Sequence, residues 1–195
     1  MDAFDYACEQ TLGLEGGDSD VKGDRGGRTR CGITEKTFKE ALERGTISGV
    51  TDLSQMTNAQ IRAIYRTNYW NALFLNQVRD ISIAAEIFDT AVNWGAGAAT
   101  MFAQVALKFL GESITIDGAM GPITMGLINK WGVKDPRALM VSLNGFQFVG
   151  YCDLVNTDLI DLVQGKFTGD PGQQQFARGW TKRIQEYKRG TRAIA

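Results

Sequence analysis

The sequence predicts an all-α chain broken near its start by one short β-hairpin, and three observations lead there. Apolar residues recur at helical spacing through most of the 195 residues. Only 3 prolines are present to interrupt helices. The stretch from 15 to 33 is instead glycine-rich with alternating charges, which suits a loop or a hairpin rather than a helix.

Each element has a local reason. Residues 2 to 14 carry Phe4, Ala7, Cys8, Thr11 and Leu12 at i, i+3, i+4, i+7 and i+8, the spacing of one buried helical face. Thr34 is placed to cap a helix running to about Arg44. Thr57-Asn58-Ala59-Gln60 has capping-box spacing and opens a helix to about Trp70. Asp80 or Ser82 starts the next, with Ile83, Ile87, Ala91 and Trp94 on one stripe; Gly95 to Gly97 breaks it, and a helix resumes from Thr100 to Leu110. The loop Asp117-Gly118-Ala119-Met120-Gly121-Pro122 reads as turn chemistry. Beyond it come a helix to about Trp131, a long apolar one from Pro136 to about Val163, a turn at Gly169 to Gly172, and a last helix from about Gln174 to Arg189. The expected division is a region 1–112 and a helical region 113–195 packed on it, or both in one compact unit.

Composition narrows the chemistry by exclusion. With no histidine, Ser-His-Asp and Cys-His nucleophile systems and imidazole zinc sites are absent. Asp plus Glu number 22, so carboxylates are left to do any acid–base work near neutrality. A net charge of −1 argues against nucleic acid as a partner. Cys8, Cys31 and Cys152 have no metal-ligand spacing and read as reduced thiols. No apolar stretch reaches the roughly 20 residues needed to span a bilayer, and the first residues lack a signal-peptide pattern. No cofactor or metal, no membrane insertion and a monomeric state are therefore expected. The chain's basic end, with Lys182, Lys188 and Arg189 beside the apolar stripe Trp180, Ile184 and Tyr187, reads as a docking helix or as a face for anionic polymers.

The candidate catalytic residues are Glu15, Asp24 and Thr29. They lie nine and five residues apart, directly after the first helix. Two carboxyl groups on a hairpin can flank a sugar ring, one protonating the leaving oxygen while the other directs water. Gly16 and Gly17 after Glu15 let the backbone turn and a polymer approach. Thr29 has a hydroxyl suited to holding that water. Asp89 and Asn93 stand one helical turn apart, with Glu86 a turn earlier. Such a row is ordinarily a solvated face; the alternative is that Asp89 and Asn93 line a cleft. Tyr69, Trp70 and Trp94 are either core or platforms for sugar rings.

These motifs resemble the N-acetylmuramidases of glycoside hydrolase family 108, lysozyme-like enzymes known as phage endolysins and secretion-associated muramidases. The resemblance rests on Glu15-Gly16-Gly17, the block Asp24 to Thr29 with Gly32-Ile33-Thr34, Tyr69-Trp70, Phe88 to Gly95, Asp117-Gly118 with Gly121-Pro122 and Thr124, and Phe176 with Gly179-Trp180 and Arg183. It implies a lysozyme-like fold, cleavage of the bond between N-acetylmuramic acid and N-acetylglucosamine in peptidoglycan strands, Glu15 as catalytic acid, and a peptidoglycan-binding region from about residue 113. Arg30, Cys31 and Gln147 depart from the pattern, which has an asparagine-like residue, a tyrosine and an arginine there. A lytic transglycosylase and a silent peptidoglycan-binding accessory protein are the rival readings. A chain made in the cytoplasm without an export signal would reach the wall through a holin-type pore or a secretion route, and a phage origin is favoured.

Overall fold

The computed structural model describes residues 2–12 and 29–154. Glu15 and Asp24, the turn at Gly169 to Gly172, the last helix and the basic end all lie outside the described residues, as does the continuation of the long apolar helix to Val163. Within the described residues are seven α-helices: α1 (Ala3–Leu12), α2 (Glu35–Glu43), α3 (Asn58–Tyr65), α4 (Ile81–Trp94), α5 (Ala96–Phe109), α6 (Pro122–Lys134) and α7 (Pro136–Leu154). Two short strands, β1 (Thr29–Arg30) and β2 (Ile33–Thr34), pair antiparallel as one hairpin. This is the all-α class with a short hairpin that the pattern predicts, in line with the lysozyme-like fold that the resemblance implies. No described helix is long and apolar enough to cross a membrane.

Caps set the helix starts as the sequence indicates. Thr34 accepts from the Thr37 N–H at the head of α2. Thr57 and Gln60 close a complete capping box on α3. The Asp80 carboxylate accepts from the Ser82 and Ile83 N–H groups at 2.9 and 3.1 Å, which starts α4. Each such cap satisfies orphan donors and is worth about 1 kcal/mol.

α4 is the axis of the fold. Ser82 through Ala91 are buried without a break, because α1, α5, α7 and the turn after α3 pack around it. Phe88 is the hub of this packing: Phe4 of α1 stands edge-on to it at 5.8 Å, and Tyr65, Tyr69 and Trp70 surround it at 6.2, 6.5 and 5.8 Å. Three rings from one short segment reach a single phenylalanine because α3 does not continue as an α-helix to Trp70. From Arg66 to Asn71 it widens into a π-helical turn.

The break between α4 and α5 is also shorter than expected. Gly95, with φ of 84°, makes the whole corner, so α5 begins at Ala96 rather than near Thr100 and carries Gly97 inside it. The loop before α6 is held from below by Gln104, a residue that no motif singled out. Its Oε1 accepts from the Asp117 and Gly118 N–H groups at 3.0 Å each, and its Nε2 donates to Asp117 Oδ1 at 2.7 Å. The Ala119 N–H and the Gln104 amide together hold the Asp117 carboxyl below its usual range. Asp117-Gly118 is thus a turn tied to α5, as turn chemistry predicts.

The solvated-face reading of Glu86 and Asp89 is overturned, since both are 0 % exposed. Neither Glu86 oxygen has a hydrogen-bond partner among the described residues. Burial, and then the nearby Asp89, push the Glu86 carboxyl well above its usual range, so it is held neutral. An unfolded chain ionises this glutamate near pH 4, whereas the folded one keeps the proton, so its contribution is full below that pH and is lost as pH rises toward the folded value. Relative to Glu86→Gln, the wild type should lose up to about 1.4 kcal/mol of stability per pH unit above about pH 4. Urea unfolding of both proteins from pH 4 to 8 measures this, and a constant difference across that range would show that Glu86 is not buried as a neutral acid.

Candidate active site

The candidate residues that the structure describes lie on the hairpin, on the π-helical turn after α3 and on the second half of α4. Cys31 and Gly32 both take positive φ, 49° and 77°, so strands β1 and β2 are joined by a tight two-residue turn whose twist matches theirs. The register is Thr29 opposite Thr34 and Arg30 opposite Ile33. Two contacts fasten this hairpin to the helical body. The Tyr65 hydroxyl donates to the Cys31 carbonyl, and the Arg30 guanidinium donates to the Ser54 carbonyl. Thr34 closes β2 and caps α2, so the strand end and the helix start are one residue.

Of the three candidate catalytic residues, the structure gives the backbone of Thr29, at the first position of β1. Glu15, Asp24 and the Thr29 side chain lie outside what is described. Tyr65 and Ser54, which position the strand on which Thr29 sits, were not singled out from the sequence. Tyr65 is 1 % exposed, and a buried tyrosine hydroxyl needs a partner, a role that shows only once the burial is known.

The five candidate substrate contacts separate by exposure. Trp70 is 3 % exposed, edge-on to Phe4 and Phe88 at 5.6 and 5.8 Å, and serves the core around α4. Tyr69 beside it is half-buried, 5.7 Å from the Tyr65 ring. Asp89 is enclosed, while Asn93, one turn on, is exposed. The Asn93 Nδ2 donates to the Asp89 main-chain carbonyl at 2.8 Å and to its Oδ2 at 3.2 Å. Gln147 of α7 donates to the same Oδ2 at 3.3 Å. Trp94 is half-buried between Phe102 and Tyr151, each with ring centroids 5.4 Å away. Gly150 makes this approach fit, because a Cβ there would stand 2.9 Å from Phe102 and 3.1 Å from Trp94. Tyr69, Asn93 and Trp94 are thus the candidates that keep exposed surface, whereas Trp70 and Asp89 are covered by their neighbours.

Cys8 is a free, buried cysteine. Burial pushes the Cys8 thiol up to about 12, which keeps it protonated and unreactive at neutral pH.

The matches with known proteins agree with this geometry. Residues 8–95 match the family model described as glycosyl hydrolase 108, and residues 98–185 match the one described as a predicted peptidoglycan domain. No curated protein matches the chain. Among solved structures, SagA of Brucella abortus superposes with a TM-score of 0.66 at 22% identity, over 93% of this chain and 88% of that one, which establishes a shared fold. Hairpin, helical body and the two successive family matches lead to one conclusion: the chain carries a glycoside hydrolase family 108 region over residues 8–95, followed by a peptidoglycan domain over residues 98–185, and is a glycoside hydrolase acting on peptidoglycan.

Proposed function

We propose that the chain is an N-acetylmuramidase that cleaves the β-1,4 bond between N-acetylmuramic acid and N-acetylglucosamine, and that it serves as a phage endolysin. The observation that carries this reading is the Glu15, Asp24, Thr29 series ending on the first position of an anchored hairpin strand. Glu15 gives its proton to the glycosidic oxygen as the bond to C1 breaks. Asp24 takes a proton from the water that attacks C1, and the Thr29 hydroxyl holds that water. Tyr69, Asn93 and Trp94 contact the glycan. The region 1–112 performs the chemistry, and the region 113–195 holds the enzyme on the wall.

Glu15→Gln keeps the shape of the side chain but cannot donate a proton, so lysis of cell walls should fall by about 10²- to 10⁴-fold with the fold unchanged. A turbidity assay in which this variant retained more than about a tenth of wild-type activity would remove Glu15 from the reaction.

The stereochemical outcome separates Asp24 as base from Asp24 as nucleophile. Inversion needs the two carboxyl groups roughly 6.5–9.5 Å apart and releases the α-anomer, whereas a nucleophile sits roughly 5–5.5 Å from the acid and retains the β configuration. Proton NMR of freshly released reducing ends should show the α-anomer first; the β-anomer would recast Asp24, and an anhydro-sugar would identify a lytic transglycosylase.

The hairpin anchor is testable as well. Tyr65→Phe removes the donor to the Cys31 carbonyl and should cost about 0.5–1.5 kcal/mol in unfolding free energy. If the anchor places Thr29, turnover should fall by more than that small loss of folded protein explains, and full activity at 25 °C would show that the hairpin holds its place without Tyr65.

A further inference from the structure

The polar contacts on α4 join the two halves of the chain. Asp89 and Asn93 belong to the segment matched by the hydrolase model, and Gln147 to the segment matched by the peptidoglycan domain. Gln147 is 0 % exposed, so its amide is removed from water and must be used or be costly. Its Nε2 is spent on Asp89 Oδ2 at 3.3 Å, the oxygen that also receives Asn93 Nδ2 at 3.2 Å. The orientation follows from chemistry: the reverse placement would set the Gln147 carbonyl oxygen against a carboxyl oxygen that already accepts from Asn93.

The three residues form a relay from the interior to the surface. Gln147 is enclosed, Asp89 is enclosed, and Asn93 is exposed at the last turn of α4, just before the Gly95 corner. The Asn93 Nδ2 donates to Asp89 at two points, its main-chain oxygen and its carboxyl. The amide plane is thereby set, and Asn93 Oδ1 is the atom left to accept from a ligand. The terminal torsion of a carboxyl group has broad rotamer wells. A donor from another helix narrows that freedom.

We propose that Gln147 is a positioning residue for the saccharide cleft: from the C-terminal half it fixes Asp89, and Asp89 orients the Asn93 amide toward a donor group of the glycan, a hydroxyl or an N-acetyl N–H. The peptidoglycan domain in this way completes the catalytic half's binding surface besides any hold on the wall of its own. The inference rests on the reading of Asn93 as a substrate contact.

The test is a double-mutant cycle in the full chain, with steady-state cleavage of soluble, peptide-free glycan strands and a spectroscopic readout beside it. Asn93→Ala should raise KM by about five- to tenfold, the worth of one hydrogen bond. Gln147→Met, which keeps length without a donor, should raise KM about threefold with kcat within about twofold. Combining the two should give the KM of Asn93→Ala alone. In the wild-type Asn93 background, Gln147→Met should also shift the side-chain amide resonances of Asn93, which a packing role for Gln147 would leave in place. Gln147→Leu repeats the cycle with another apolar shape should Gln147→Met fail to fold. If Asn93→Ala leaves KM unchanged, the substrate-contact reading falls and the proposal with it. If Asn93→Ala raises KM while the Gln147 variants neither raise it nor move the Asn93 amide, or if the two effects simply multiply, the proposal is overturned and the substrate contact stands.

Discussion

A helix enclosed on every side has no face on which to put polar groups cheaply, and α4 is such a helix. From Ser82 to Ala91 its side chains are covered, yet the same stretch contains Glu86 and Asp89. The two acids are accommodated in different ways. Glu86 gives up its charge, since a neutral carboxyl is far less expensive to bury than an ion. Asp89 instead gathers donors, one from its own helix and one from α7. Much of the rest follows from this enclosure: α1 supplies Phe4 to one side, the π-helical turn brings Tyr69 and Trp70 to another, and α7 closes a third with Gln147.

The enclosure also explains why the two family matches do not divide the described fold into separate cores. One apolar cluster runs from Phe4 and Phe88 to Leu107, Ile128 and Leu143, so helices on either side of the Gly95 corner bury the same surface. Trp94 sits on that seam, with Phe102 and Tyr151 against its ring and Gly150 giving it room. Among the described residues the two matched segments therefore share one packed body. The hairpin that carries Thr29 is tied in the same spirit, by a buried tyrosine from α3 rather than by its own two-residue strands, which are too short to be stable alone.

The sequence by itself determined what depends on near neighbours along the chain. Thr34, Thr57 with Gln60, and Asp80 cap helices because a cap is a contact over two or three residues. The all-α class, the hairpin, the Asp117 turn and the exclusion of histidine chemistry were legible for the same reason, and the ordered motifs from Glu15 to Arg183 were enough to identify the family. Where local signals competed, they misled: the glycines at 95 and 97 look like one break, but a single positive φ at Gly95 suffices, and packing on α4 carries Gly97 into α5. What only the tertiary structure decided is how the polar residues are used. Glu86, Asp89 and Asn93 share one helical face and look alike in sequence, yet two are sealed inside and one is exposed, because helices distant in the chain cover the first two and stop short of the third. Tyr65, Gln104 and Gln147 carry no motif and hold the hairpin, the loop before α6 and the end of α4 by bonds spanning 34, 13 and 58 residues. Contacts of that range leave no periodic mark in the chain, since their partners are chosen by how helices pack and not by what stands beside them in sequence.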